Sequence, residues 1–230
     1  MSRSPKVSTS RTVTRRNSTS QAIDDPIRLY LLQMGGIPLL DRDGEVESAR
    51  RIELWRRRYR HELLSNDFVL RAAVKLLERV KAGTVRLDRT LEVSVTNTDE
   101  KQRLLKRLGP NLKTLRRIIS ENQKLFRQAT STIYPLSARR KTWRQLVRQR
   151  CKAVRLVEEM RLRIQRLDPM LKQLRDSADR VNKVGVQERR QIFVGLGETR
   201  RTLKRRLNRL GVYEKKYDVA KRQLAAGNLR

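Results

Sequence analysis

From Trp143 to Leu167 the apolar side chains recur at alternating steps of three and four residues. Trp143, Leu146, Ala153, Val157, Met160, Ile164 and Leu167 mark the seam, and Arg150 is the one basic intruder in it. Leu171, Leu174, Ala178 and Val181 hold the same register past Asp168-Pro169. This period belongs to a helix that turns one stripe toward a partner helix. It predicts a long helix capped by Ser137, after Pro135 has broken the one before. It also predicts a helical hairpin or antiparallel bundle, with Asp168-Pro169 as a kink or a fresh helix start. Core packing is the ordinary meaning of such a stripe, ahead of an intermolecular coiled coil. No alternating stretch is long enough for the strands of an α/β enzyme. The expected fold is all-α: an irregular helical bundle with a long hairpin or coiled-coil-like insertion.

The remaining chain reads the same way. Asp25 caps and Pro26 opens a short amphipathic helix through Ile27, Tyr30, Leu31 and Met34, which Gly35-Gly36 end. Arg28 and Tyr30 on that helix offer a cation and a ring to a nucleic-acid strand. Pro38 keeps the next residues extended, and Leu39-Leu40 lead to Asp41, the expected cap of a second helix with Glu45 in its first turn. That helix runs through Val46, Ala49, Ile52 and Trp55 toward Leu63-Leu64. Arg50, Arg51, Arg56, Arg57, Arg58 and Arg60 line its exposed arc, a solvated face by default and a phosphate track as the sharper alternative. Asn66 or Asp67 caps a third helix with Phe68, Val69, Ala72, Leu76, Leu77 and Val80 inward, and Gly83 ends it. Asp99-Glu100 open a short helix that Gly109-Pro110 close, with Pro110 beginning the next. Leu112, Leu115, Ile118, Ile119, Leu125 and Phe126 give that one its apolar face. Gly185, Gly195 and Gly197 mark short breaks, and Leu203, Leu207 and Leu210 lead into a final helix.

The charge balance narrows the partners. The 230 residues carry a formal charge of +32, with only 4% aromatic residues. A polyanion is the default partner for such a chain, nucleic acid ahead of an anionic membrane surface. Basic membrane-surface helices need Trp- and Phe-rich apolar faces that this sequence lacks. No apolar run approaches the roughly 20 residues that span a bilayer. Residues 1–23 are Ser, Thr and Arg with almost nothing apolar, so they read as a disordered basic tail. An organelle transit peptide shares that composition, but the apolar stripe of an amphipathic helix is missing. Cys151 stands alone, which leaves no internal disulfide and suits a reducing compartment.

Residues for catalysis are equally sparse. His61 is the single histidine and sits among charges on a helix, where a solvated side chain is the plain reading. One His and one Cys make neither a zinc set nor a nucleophile–base pair. Asp41, Asp43, Glu45 and Glu47 cluster, yet Asp41 serves better as a cap than as a metal ligand. Gly195–Arg200, GLGETR, lacks the preceding strand and the Gly-Lys-Ser/Thr of a phosphate loop. No enzyme activity, cofactor, metal or small-molecule substrate is expected.

Asp25–Glu53, DPIRLYLLQMGGIPLLDRDGEVESARRIE, resembles region 1.2 of the primary-type sigma factors of bacterial RNA polymerase. The likeness rests on Asp25-Pro26, Arg28, Tyr30, Met34-Gly35, Leu39-Leu40 and Arg42-Asp43-Gly44-Glu45, in the family's order, with Asp41 as the cap. It extends more weakly to about residue 92 through Val85-Arg86-Leu87. Tyr213–Arg230, YEKKYDVAKRQLAAGNLR, is similar to the start of region 2.1. The resemblance implies a division into a tail (1–23), a region 1.2-like helical domain (24–92), a helical insertion (93–210) and the beginning of region 2.1 (211–230). In that family, region 1.2 folds against region 2 and contacts the non-template strand of the promoter discriminator. Family DNA contacts fall here on Arg28, Tyr30, Leu31 and Leu32, and Leu32 stands where a basic residue is common, so a hydrogen bond is lost there.

The implied function is transcription initiation with promoter DNA, in a bacterial cytoplasm close to the nucleoid. Family members continue past Asn228-Leu229-Arg230 with the helix that clamps core RNA polymerase. The expectation is therefore the N-terminal part of a sigma factor, with core polymerase engaged by a longer protein and not by this chain alone. A basic helical scaffold that coats RNA or DNA without sequence preference fits the composition equally well, and only the two terminal motifs argue against it.

Overall fold

The computed structural model describes residues 42–93 and 97–227. The basic tail, the helix expected over 27–34 and the turn and cap at 35–41 lie outside these. Among the described residues there are eight α-helices: α1 (Arg42–Leu64), α2 (Asp67–Lys81), α3 (Leu87–Thr90), α4 (Thr98–Thr130), α5 (Leu136–Glu158), α6 (Asp168–Lys183), α7 (Val186–Leu196) and α8 (Arg200–Gly227). A 3-10 turn at Ile164–Arg166 precedes α6. The only pairing of extended backbone among the described residues is an isolated bridge between Leu91 and Leu162. The fold is all-α, and no described helix is long and apolar enough to cross a membrane.

Two antiparallel helix pairs frame the molecule. α1 lies along α8, with Trp55 level with Tyr213 and Glu62 level with Arg206. α4 and α5 form a helical hairpin, Phe126 against Trp143 near its tip and Asn111 bonded to Glu159 near its base. α2 is wedged among α1, α4, α5, α6 and α7. Its buried stripe is accordingly broad: Val69, Leu70, Ala73, Val74, Leu77 and Val80 are buried, while Phe68, Ala72 and Leu76 are half-buried. Asn66 caps α2, its Oδ1 accepting from the Phe68 and Val69 amides at 3.0 and 3.2 Å. Gly83, at φ 73°, takes the left-handed turn that follows.

Three expectations need correction, and one open alternative is decided. Pro110 does not separate two helices, because α4 runs unbroken from Thr98 to Thr130. Leu104, Leu108, Leu112 and Leu115 form one buried stripe straight through it. Each such burial is worth about 1.5–3 kcal/mol, so together they outweigh the roughly 3 kcal/mol of an interior proline. Ser137 does not cap α5; extended Pro135 holds that place with no side-chain bond, its carbonyl accepting from Arg139 N at 3.1 Å. The helix does not reach Leu167 but ends at Glu158. There the backbone turns through Arg161, at φ 49°, to pair with residues 90–92: Glu92 N donates to Arg161 O at 2.7 Å and Arg163 N to Thr90 O at 2.9 Å. Met160, Leu162 and Leu167 stay buried in spite of the break. Of the two readings of Asp168-Pro169, kink or fresh helix start, the second holds, the proline sitting in the first turn of α6.

A buried ionic cluster joins the two helix pairs. Arg150, the intruder in the apolar seam, has a side chain only 5% exposed. It donates from Nε to Asp67 Oδ1 (3.2 Å) and from Nη2 to Asp67 Oδ2 and the Gly197 carbonyl (both 2.5 Å). Asn122 Nδ2 donates to Asp67 Oδ1 at 3.0 Å. Glu198, fully buried, accepts from Arg206 Nε at 2.8 Å and lies 3.8 Å from Arg150 Nη1. Arg206 reaches on to Glu62 at the end of α1. Gly197, at φ 66°, caps α7 against the cluster, and a Cβ there would fall on Asp67 Oδ2.

Candidate nucleic-acid interface

The contact residues expected from sequence, Arg28, Tyr30, Leu31 and Leu32, lie outside the described residues. So do Asp25, Pro26, Met34, Gly35, Leu39, Leu40 and Asp41 of the motif. The described part begins at α1, where Asp43 and Glu45 occupy the acidic first turn that the positive end of a helix dipole favours, with Gly44 between them. Beyond this turn α1 buries Tyr59, Leu63 and Leu64. Burial, then the carboxylates of Asp168 and Glu214, hold the Tyr59 phenol well above its ordinary range, so it is neutral at every physiological pH.

The arginine arc of α1 is divided. Arg50, Arg51, Arg57 and Arg58 are exposed as expected. Arg56 is half-buried and pairs with Glu92 and, at 3.6 Å, with Glu53. Arg60 is buried, 4.0 Å from Glu92 Oε2, and burial followed by repulsion from Arg56 lowers its pKa. These two therefore do not belong to the exposed arc: the turn carrying them faces Glu92, which sequence spacing alone did not reveal. Arg51 is engaged by Glu47. Arg50 makes no ion pair with a described carboxylate, so within the arc it remains open to an outside phosphate.

Trp55 joins α1 to the terminal helix. Its ring stacks on Tyr213 with centroids 6.1 Å apart and 30° between planes. Lys216 Nζ and Arg58 Cζ lie 4.4 and 4.9 Å from the Trp55 centroid, within cation–π range. Both residues fall in the stretches that sequence singled out for other reasons, and nothing in their spacing marked them as a pair.

None of the other candidates makes a site among the described residues. A cleft of about 500 Å³ gathers Arg56, Arg57, Arg60 and Arg161 with Glu53, Glu92 and Glu158, a nearly balanced set that neutralises itself. No group of described His, Cys, Asp or Glu residues is arranged to hold a metal ion. His61 is exposed. In GLGETR the amides of Gly197, Glu198 and Thr199 already donate to Val194 O, Phe193 O and Thr202 Oγ1, so none is left to cradle a phosphate.

Residues 25–57 match the family described as sigma-70 factor, region 1.2. The match spans the motif from Asp25 to Glu45 and takes in α1 as far as Arg57.

Proposed function

We propose, from a chain that carries a sigma-70 factor region 1.2 at residues 25–57, that it acts in transcription initiation by touching the non-template strand of the promoter discriminator. The family match carries this reading. Region 1.2 belongs to proteins that work with core RNA polymerase on promoter DNA, and that setting accounts for the charge of +32. The packing of α1 along α8 supports it, since α8 contains the stretch from Tyr213 that resembles the start of region 2.1. On this reading 24–92 is the promoter-contacting unit, 93–210 a helical insertion and 211–230 the beginning of the next sigma region. Arg28 neutralises a backbone phosphate, the Tyr30 ring stacks on an unpaired base, and Leu31 and Leu32 add apolar contact without a hydrogen bond.

Tyr30→Ala tests the contact. Stacking of an aromatic ring on a single-stranded base is worth about 1–3 kcal/mol, so binding to a promoter fork with an unpaired discriminator should weaken roughly 5- to 150-fold. The effect should vanish when the discriminator bases are made abasic. Equal losses on intact and abasic forks, accompanied by a lower melting temperature, would make Tyr30 a packing residue instead.

A further inference from the structure

Helix α5 carries eight basic residues and a single acid, Glu158 at its last position. One basic residue, Arg150, is consumed by the buried cluster, and Arg139 donates to the Ala129 carbonyl at 3.1 Å. Five of the others form a stripe. Lys141, Arg144, Arg148, Lys152 and Arg155 are all exposed, and none has an ion-pair or hydrogen-bond partner among the described residues. At about 100° per residue they fall within an arc of about 80°, opposite Leu146, Arg150, Ala153 and Val157. The stripe is therefore held facing solvent by the packing of the opposite face, and it runs about 21 Å at 1.5 Å per residue.

We infer that this stripe is a second DNA-binding surface, a track for the sugar–phosphate backbone of duplex DNA. Its charges have one sign and no internal compensation, unlike the mixed cleft around Arg60. Duplex DNA presents one phosphate charge per about 1.7 Å, so about 12 lie within the length of the stripe. No aromatic side chain stands among the five cations, and Trp143, the only ring of α5, is half-buried against Phe126. A surface that tracks single strands interleaves rings for the bases to stack on, so the duplex backbone is the better fit. The inference does not depend on the discriminator contact: the stripe lies outside the family match and would bind duplex DNA of any sequence.

The test compares two variants of the whole chain on a 30-base-pair duplex of arbitrary sequence, by fluorescence anisotropy between 50 and 200 mM salt. In the first, Lys141, Arg144, Arg148, Lys152 and Arg155 are changed to Gln; in the second, the exposed Lys75, Arg79, Lys81, Lys172 and Lys183 are. Each phosphate contact adds about 0.9 to the slope of log affinity against log salt. The stripe variant should lose about 4.5 from that slope, so its salt-induced weakening over this range is about 500-fold smaller than in the parent. The control variant should lose less than about 1. Equal slope losses would overturn the inference, because the chain would then bind through diffuse charge. An unchanged slope in the stripe variant would overturn it too, because the five cations would then contact no phosphate. Should the fivefold variant melt early, Arg148→Gln/Arg155→Gln alone should remove about 1.8 from the slope, and no loss there refutes the track.

Discussion

Replacing Arg150 by Met should be among the most damaging single changes in the described chain. The guanidinium makes two bonds to Asp67 and one to the Gly197 carbonyl, all in a region closed to water. Its loss strands the Asp67 carboxylate, 3% exposed, with Asn122 as its remaining side-chain donor. Glu198 keeps Arg206 and the weak 3.4 Å bond from Asn66. Each charge-assisted bond is worth about 1.5–3 kcal/mol net, but the variant no longer has to desolvate a guanidinium. Breaking one partner out of a buried pair costs about 3–5 kcal/mol on balance. For a chain of this size that corresponds to a melting temperature lower by roughly 6–20 °C. Urea unfolding of Arg150→Met, Asp67→Leu and the double variant forms a cycle. The double variant, with the stranded charge removed, should recover much of the loss, giving a coupling of about 0.5–3 kcal/mol. A single-variant cost below about 1 kcal/mol, or losses that add within about 0.5 kcal/mol, would refute the cluster as a buried, mutually dependent set.

Two further variants probe the same frame. Gly197→Ala places a Cβ on Asp67 and forces a left-handed backbone, and should destabilise by about 2 kcal/mol or more, whereas Gly195→Ala, in helix with open space around it, should be neutral or stabilise by up to about 1 kcal/mol in urea unfolding. Although Asp168 is exposed, partial desolvation, then Glu214, raises its carboxyl above the ordinary 3.8, so the fold prefers its neutral form: the penalty is nil below pH 3.8 and grows as pH rises through the folded value. Asp168→Asn should therefore gain stability relative to the parent from acid to neutral pH, and a urea-midpoint difference independent of pH would contradict the assignment.

What could be read from sequence was whatever is encoded locally. Asn66 before an apolar run, Gly83 after it and Pro169 behind Asp168 are caps and starts whose chemistry lies within four residues, and each stands where expected. A hairpin or bundle was legible in the apolar stripe from Trp143 onward because it repeats over many turns, but α4 as its partner was not. Pro110 misled because a local rule was overruled by four leucines packed on distant helices. The end of α5 at Glu158 was hidden for a related reason: Met160 and Leu167 remain core residues after the backbone has left the helix, so the apolar period survives where the helix does not. Arg150 was visibly out of place in its seam. Its partners, Asp67 and Glu198, are 83 and 48 residues away along the chain, and Asp67 already had a plausible local use beside the cap. The stripe on α5 was present in the sequence too, yet charge alone cannot distinguish arginines that face water from Arg60 or Arg150, which do not.

The pairing of α1 with α8 has a consequence for how the protein is made. Leu64 leaves the ribosome long before Gly227, and at about 5–20 residues per second the interval is roughly 8–30 s. Throughout it the side of α1 that packs on α8, Trp55 within it, lacks that partner. α2 and the hairpin can assemble within that time from neighbours already synthesised, but the nascent α1 must wait. Its crowded arginines then act as a solubility device: an apolar helix face that stays uncovered for many seconds is kept from self-association by the repulsion of its own charges.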